Sequence, residues 1–180
     1  NLVLENLPKL KLLFLIETNR LKSVFLKDLT NLNDLNFTLY TKLSNLYINN
    51  LPNLTGLGLS NTNLISLELK DFPQLSTLNC LNCKLLRTIT LEKLPKLTDL
   101  DFSSLTMDSI ILKDFPELSI IKCANNKHLK TLILKNLPKL TSLKCSNTNI
   151  NFLELKDFSK LISLDCSYTK INSLELKDFP

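Results

Sequence analysis

The residues best suited to chemistry in this 180-residue chain are its five cysteines and its one histidine. Cys80-Leu81-Asn82-Cys83 has the Cys-x-x-Cys spacing used by zinc sites and by thiol–disulfide exchange. A structural zinc site needs four ligands, and this pair has neither a second pair nor a histidine near it. Cys80, Cys123, Cys145 and Cys166 recur at one place in a periodic pattern, where other turns carry Leu15, Phe37, Leu59 and Phe102. A small buried hydrophobe explains such a column. Parallel in-register neighbours rarely give disulfide torsions, so the expectation is five reduced thiols, no metal site and no cofactor. Buried thiols persist in any compartment, and the cysteines therefore do not assign one.

The other candidates for catalysis are weaker. His128 follows Asn125-Asn126-Lys127, and no carboxylate and nucleophile accompany it as a catalytic histidine requires. Thr55-Gly56-Leu57-Gly58 lacks the Gly-Lys-Ser/Thr of a phosphate loop and sits inside a strand pattern. The aspartates show no paired-carboxylate spacing. No enzyme is expected. The net charge of +5 does not point to nucleic acid, because the lysines alternate with acids, as in Lys27-Asp28, Lys70-Asp71, Lys113-Asp114, Lys156-Asp157 and Lys177-Asp178. No run of 18 apolar residues occurs, so no membrane-spanning helix is expected.

What must position these residues is a repeat. A corner dipeptide recurs at Leu7-Pro8, Leu29-Thr30, Leu51-Pro52, Phe72-Pro73, Leu94-Pro95, Phe115-Pro116, Leu137-Pro138, Phe158-Ser159 and Phe179-Pro180, always 21 or 22 residues apart. Three residues after the start of each of the first eight anchors begins a pattern with apolar positions one, four and six. Examples are Leu54/Leu57/Leu59, Leu97/Leu100/Phe102 and Leu140/Leu143/Cys145. The period of two between positions four and six signals a strand with both side chains inward. A second apolar pair of period two follows in each turn, for example Leu67/Leu69, Ile110/Leu112 and Leu153/Leu155. Each turn thus predicts two short strands around a shared interior. The corner between them is polar, as in Ser60-Asn61-Thr62-Asn63, and the other holds proline, which has no N–H to give a ladder. The extra residue of the longer turns falls in the corner after Leu15, Phe37, Cys80 and Cys123, where it leaves strand faces unchanged.

The pattern Leu-x-x-Leu-x-(Leu/Cys)-x-x-(Asn/Thr)-x-(Leu/Ile) resembles the leucine-rich repeat family, in its short 21/22-residue bacterial form. The resemblance spans essentially the whole chain. It implies a mostly-β leucine-rich repeat solenoid with two short parallel strands per turn, little or no helix, gently curved or nearly straight. The repeat is read as a single domain over residues 1–180 of about eight turns and as a piece of a longer protein, and the resemblance implies one that is secreted or at a bacterial cell surface. Position nine, usually Asn in the family, is here Thr18, Tyr40, Thr62, Cys83, Leu105, Asn126, Thr148 and Thr169, so no asparagine ladder is implied.

Function is then expected on the surface. Positions three and five of the first strand face outward and vary while the inward columns do not. The candidate partner-binding residues there are Asp34, Asn36, Gly56, Gly58, Asn79, Asp99, Asp101, Lys122 and Lys144. The only two glycines, Gly56 and Gly58, suggest a bare patch open to close approach, or else relief of crowding. Cross-strand pairing of Asp101 with Lys122 and of Lys144 with Asp165 is expected. A rival face is the second strand's outward column: Phe25, Tyr47, Glu68, Thr90, Ile111, Ile133, Glu154 and Glu175. The leading expectation is a non-catalytic scaffold for a protein partner. The alternatives are an adhesin or glycan-binding stalk and the non-catalytic arm of a secreted effector enzyme.

Overall fold

The computed structural model describes residues 1–15 and 20–177, with side chains as far as Leu174. Thr18 and the last anchor, Phe179-Pro180, lie outside the described residues, as does the side chain of Glu175. Every element among the described residues is a strand. In chain order the first are β1 (Leu2–Glu5), β2 (Ser23–Lys27), β3 (Asp34–Asn36) and β4 (Asn45–Asn49). Then come β5 (Gly56–Gly58), β6 (Ser66–Lys70), β7 (Thr77–Asn79) and β8 (Thr88–Glu92). They continue as β9 (Asp99–Asp101), β10 (Ser109–Lys113), β11 (Ile120–Lys122) and β12 (Thr131–Lys135). The last are β13 (Ser142–Lys144), β14 (Phe152–Lys156), β15 (Ser163–Asp165) and β16 (Ser173–Lys177). All pairing is parallel between successive turns, which makes the chain a β-solenoid.

The first strands form one seven-stranded sheet from β3 to β15. Its central residues stack in register as Leu35, Leu57, Leu78, Leu100, Ile121, Leu143 and Leu164. Leu100 is 1% and Leu143 0% exposed, so the inward assignment holds. Each fully buried leucine stabilises the stack by about 1.5–3 kcal/mol relative to exposure. Ser142, at outward position three beside Leu143, is half-buried. The first turn departs from expectation. Residues 11–15 carry the pattern yet form no strand, Leu13 and Leu15 are only half-buried, and Leu12 and Phe14 are exposed. With so little apolar surface removed from water, less holds that segment in register.

The second strands do not form one sheet. They divide into β1-β2-β4, β6-β8, β10-β12 and β14-β16. Each break, β4/β6, β8/β10 and β12/β14, falls where a longer corner is followed by a shorter one. In the longer corners the extra residue makes a hydrogen-bonded turn. Leu43 N–H donates to Tyr40 C=O, Leu86 N–H to Cys83 C=O and Leu129 N–H to Asn126 C=O. Those turns keep Leu43, Leu86 and Leu129 buried.

Two residues per turn adopt left-handed backbone, at φ of 53–69°. One precedes the anchor (Asn6, Asp28, Asn50, Asp71, Lys93, Asp114, Asn136, Asp157). The other follows the first strand (Leu39, Asn61, Asn82, Ser104, Asn125, Asn147, Tyr168). Apart from glycine, Asn and Asp tolerate this region best. The aspartates of the Lys-Asp pairs are therefore corner residues, and neither glycine is used at a corner.

Candidate functional site

The nine residues expected to bind a partner all lie on the outward side of one sheet, on β3, β5, β7, β9, β11 and β13. Their side chains turn largely to local work. Thr38 N–H donates to Asn36 Oδ1 (2.9 Å), Leu81 N–H to Asn79 Oδ1 (3.0 Å) and Ser103 N–H to Asp101 Oδ1 (2.9 Å). Position five thereby caps the corner two residues on, the habit of Asn and Asp in turns. Asp165 does the same for Ser167, whose N–H (3.1 Å) and hydroxyl (2.6 Å) both donate to it. The Ser167 hydroxyl first, then the Ser146 hydroxyl and the Ser167 N–H, hold the Asp165 carboxyl below its ordinary value, and Lys144 contributes least.

Two expectations change here. The glycine patch is not bare: a Cβ on Gly56 would meet Asp34 Oδ1 at 2.6 Å, and one on Gly58 would meet Asn36 Oδ1 at 2.8 Å. Gly56 is buried, and the pair makes room for polar side chains of the preceding turn. The expected pairs Asp101–Lys122 and Lys144–Asp165 do not form as salt bridges within 4.0 Å, because the aspartates turn toward the corner. Lys122 and Lys144 stay exposed. Asp99 is half-buried, with the Thr98 hydroxyl donating to it at 2.6 Å.

The cysteines are buried except Cys166, which is half-buried, and all five are free. Burial pushes the Cys145 thiol up to about 12, raises Cys123 further, and raises Cys80 and Cys83. At Cys83 the Thr62 hydroxyl, 3.3 Å away, opposes the shift. Such thiols are poor nucleophiles. Among the described residues no three His, Cys, Asp or Glu side chains are grouped to hold a metal.

Cys83 instead has a structural role that its sequence spacing hides. Its thiol donates to the Leu59 carbonyl at 3.0 Å. Asn126 Nδ2 donates to the Phe102 carbonyl at 2.8 Å, and the Tyr40 hydroxyl to that of Leu15. In the three longer turns whose position nine is among the described residues, its side chain therefore bonds the position-six carbonyl one turn back. In shorter turns Thr148 and Thr169 bond their own turn instead, at Cys145 O (2.9 Å) and Cys166 O (2.8 Å). The longer corners were legible in the sequence, but a Tyr, a Cys and an Asn sharing one role was not.

On the rival face, Phe25 stacks on Tyr47 with ring centroids 4.5 Å apart and planes 9° from parallel. Tyr47 and Ile111 are exposed and Ile133 is half-buried. His128 is exposed on the extra turn of the longer corner after Cys123. No helix among the described residues is long and apolar enough to cross a membrane. Compared with known proteins, the chain matches no family model, and no curated protein matches it.

Proposed function

We propose that the chain is a non-catalytic recognition scaffold of leucine-rich-repeat type that binds a protein partner over the outward face of its first sheet. The observation that carries this is the unpaired charge of Lys122 and Lys144. Both stand exposed on adjacent strands of an uninterrupted parallel sheet. A rigid sheet presents such groups in fixed geometry, and unpaired surface charge steers partners electrostatically. Buried thiols and the lack of a carboxylate and nucleophile beside His128 support the non-catalytic part of the reading.

The test is capture of a partner from the cells that make the protein, comparing three versions. The Lys122→Glu/Lys144→Glu variant is expected to lose a partner that the parent and Glu68→Arg both retain. Retention by the lysine variant, or loss only with Glu68→Arg, places recognition off the first sheet. A glycan reading draws support from the Phe25–Tyr47 stack, because exposed aromatic faces suit sugar rings. Under that reading Tyr47→Ala abolishes oligosaccharide retention and the lysine variant does not.

A further inference from the structure

The outward face of the sheet β1-β2-β4 carries two parallel rows, because residues two apart in a strand share a face. Val3, Phe25 and Tyr47 stand in register as one row. Ser23 and Asn45 stand in register in the other, and Ser66 opens β6 at the corresponding place. Both rows line one groove of about 310 Å³, at the small end of ligand pockets. One side of it is aromatic and apolar, and the other is amide and hydroxyl. Among the described residues no Lys, Arg, Asp or Glu side chain lines it, so it suits an uncharged ligand.

The aromatic row ends on an open ring face. Phe25 and Tyr47 are register neighbours with parallel rings 4.5 Å apart, so the stack runs along the solenoid axis and Phe25 covers one face of Tyr47. On the other side the ladder stops, since β6 is not paired with β4. The next residue of the row is Glu68, whose carboxylate is drawn along its own strand to Lys70 at 2.9 Å. Tyr47 accordingly stays 48% exposed. A ring already held by its neighbour loses little freedom when a ligand settles on it. Beside it stand acceptors without donors. Asn45 Nδ2 donates to Ser44 Oγ at 3.0 Å, but Asn45 Oδ1, the Ser66 hydroxyl and Glu68 Oε2 have no hydrogen bond among the described residues.

We propose that the open face of Tyr47 is a subsite for a neutral hexose, whose hydroxyls donate to Asn45 Oδ1, the Ser66 hydroxyl and Glu68 Oε2. The site rests on the glycan reading of the Phe25–Tyr47 stack, and gives it a ring face, polar partners and a sugar class. A pyranose with every hydroxyl equatorial, as in β-linked glucose, turns a flat face of axial C–H bonds outward. Those weakly positive hydrogens meet the negative face of the tyrosine ring. The equatorial hydroxyls point around the rim, where uncharged acceptors and one carboxylate oxygen can take their hydrogens. An anionic sugar fits less well, because Glu68 repels it and no ammonium lines the groove. Phe25 is a positioning residue that holds the Tyr47 ring upright.

The probe is cellohexaose, titrated calorimetrically into the whole chain. Its acidic counterpart is the β-1,4-linked glucuronate hexamer, which differs in carrying a carboxylate on each ring. Cellohexaose is expected to bind saturably, and the glucuronate hexamer at least about tenfold more weakly, the effect of an unfavourable charge contact. Tyr47→Ala should weaken cellohexaose binding by about tenfold, the upper end of what a stacked ring contributes. Tyr47→Phe should keep the parent's affinity, because the ring face and not the phenol makes the contact. Tyr47→Trp should bind more tightly through its larger face. The chain has no tryptophan of its own, so that variant's single indole should also report the sugar by a change in emission. A gain of binding cannot be imitated by misfolding. Lys122→Glu/Lys144→Glu should bind the sugar as the parent does, and the first-sheet reading stands or falls on its own partner capture. Absence of saturable binding of either hexamer at millimolar sugar overturns the proposal together with the glycan reading. Cellohexaose binding that survives Tyr47→Ala, or a preference for the glucuronate hexamer, overturns this site while leaving the glycan reading in place. Sedimentation showing that the Tyr47 face instead joins two copies of this chain would also overturn it.

Discussion

Along the first sheet each turn from β3 to β15 is hydrogen-bonded to the next, whereas along the second sheet the ladder stops three times. Both sheets are built from the same turns, with the same leucine columns and the same alternation of 21 and 22 residues. What differs is where the extra residue lies. The path from anchor to first strand has constant length, so the first strands keep step. The polar corner leading to the second strand changes length, so the second strands separate wherever that corner shortens. An insertion that leaves every side chain on its proper face still decides which backbones pair. The leucine stack tolerates this because hydrophobic contact is non-directional, while a hydrogen-bonded ladder demands alignment.

The strongest way to break the comparison is to equalise the corners. Deleting His128 turns the longer corner after Cys123 into a shorter one, so β12 and β14 follow corners of equal length, as β14 and β16 already do. The expected result is a continuous β10-β12-β14-β16 sheet. Its marker is slowed amide exchange at Leu134 and Asn136, whose N–H groups gain partners. Unchanged exchange there would show that corner length does not govern the breaks.

A second test sharpens the difference between the two corner types. Asn126 Nδ2 donates to the Phe102 and Cys123 carbonyls, and its Oδ1 accepts from Leu105 N–H at 2.5 Å, all in a buried site. Asn126→Ala leaves three buried groups unsatisfied and is expected to cost about 3 kcal/mol, since a single such group costs about 1–3 kcal/mol. Thr148→Ala removes one hydrogen bond within its own turn and is expected to cost about 1 kcal/mol. Chemical denaturation measures both, and equal costs would remove the distinction between reaching back a turn and capping one's own.

The smallest effect concerns the left-handed corners. Leu39 has φ 69° and is exposed, where the equivalent residues of four other turns are Asn61, Asn82, Asn125 and Asn147. Leu39→Asn is expected to stabilise the fold by about 1 kcal/mol, because a left-handed residue without a short polar side chain is strained by about that much. A fall in melting temperature would show that Leu39 contributes packing that outweighs its backbone strain.

Much of this molecule could be read without coordinates. Leucine spacing alone determined the two strands per turn, their parallel stacking and their inward columns, because burial of a period-two stripe admits few other solutions. Position six was recognisable as core whether it held Phe37, Leu59 or Cys145. The residues of the expected binding surface also fell together on one face, since outwardness follows from the same period. Other features required the tertiary structure. That Asp34 and Asn36 fill the space over Gly56 and Gly58 depends on side-chain torsions across a turn boundary. That Asp101 and Asp165 cap their own corners rather than pair with lysines is a competition between a local backbone donor and a mobile ammonium. The local donor wins because it is already held in place, while an exposed ion pair gains little. The breaks in the second sheet arise from how neighbouring turns align. One turn's sequence does not contain that alignment, because it belongs to the relation between two turns of unequal length.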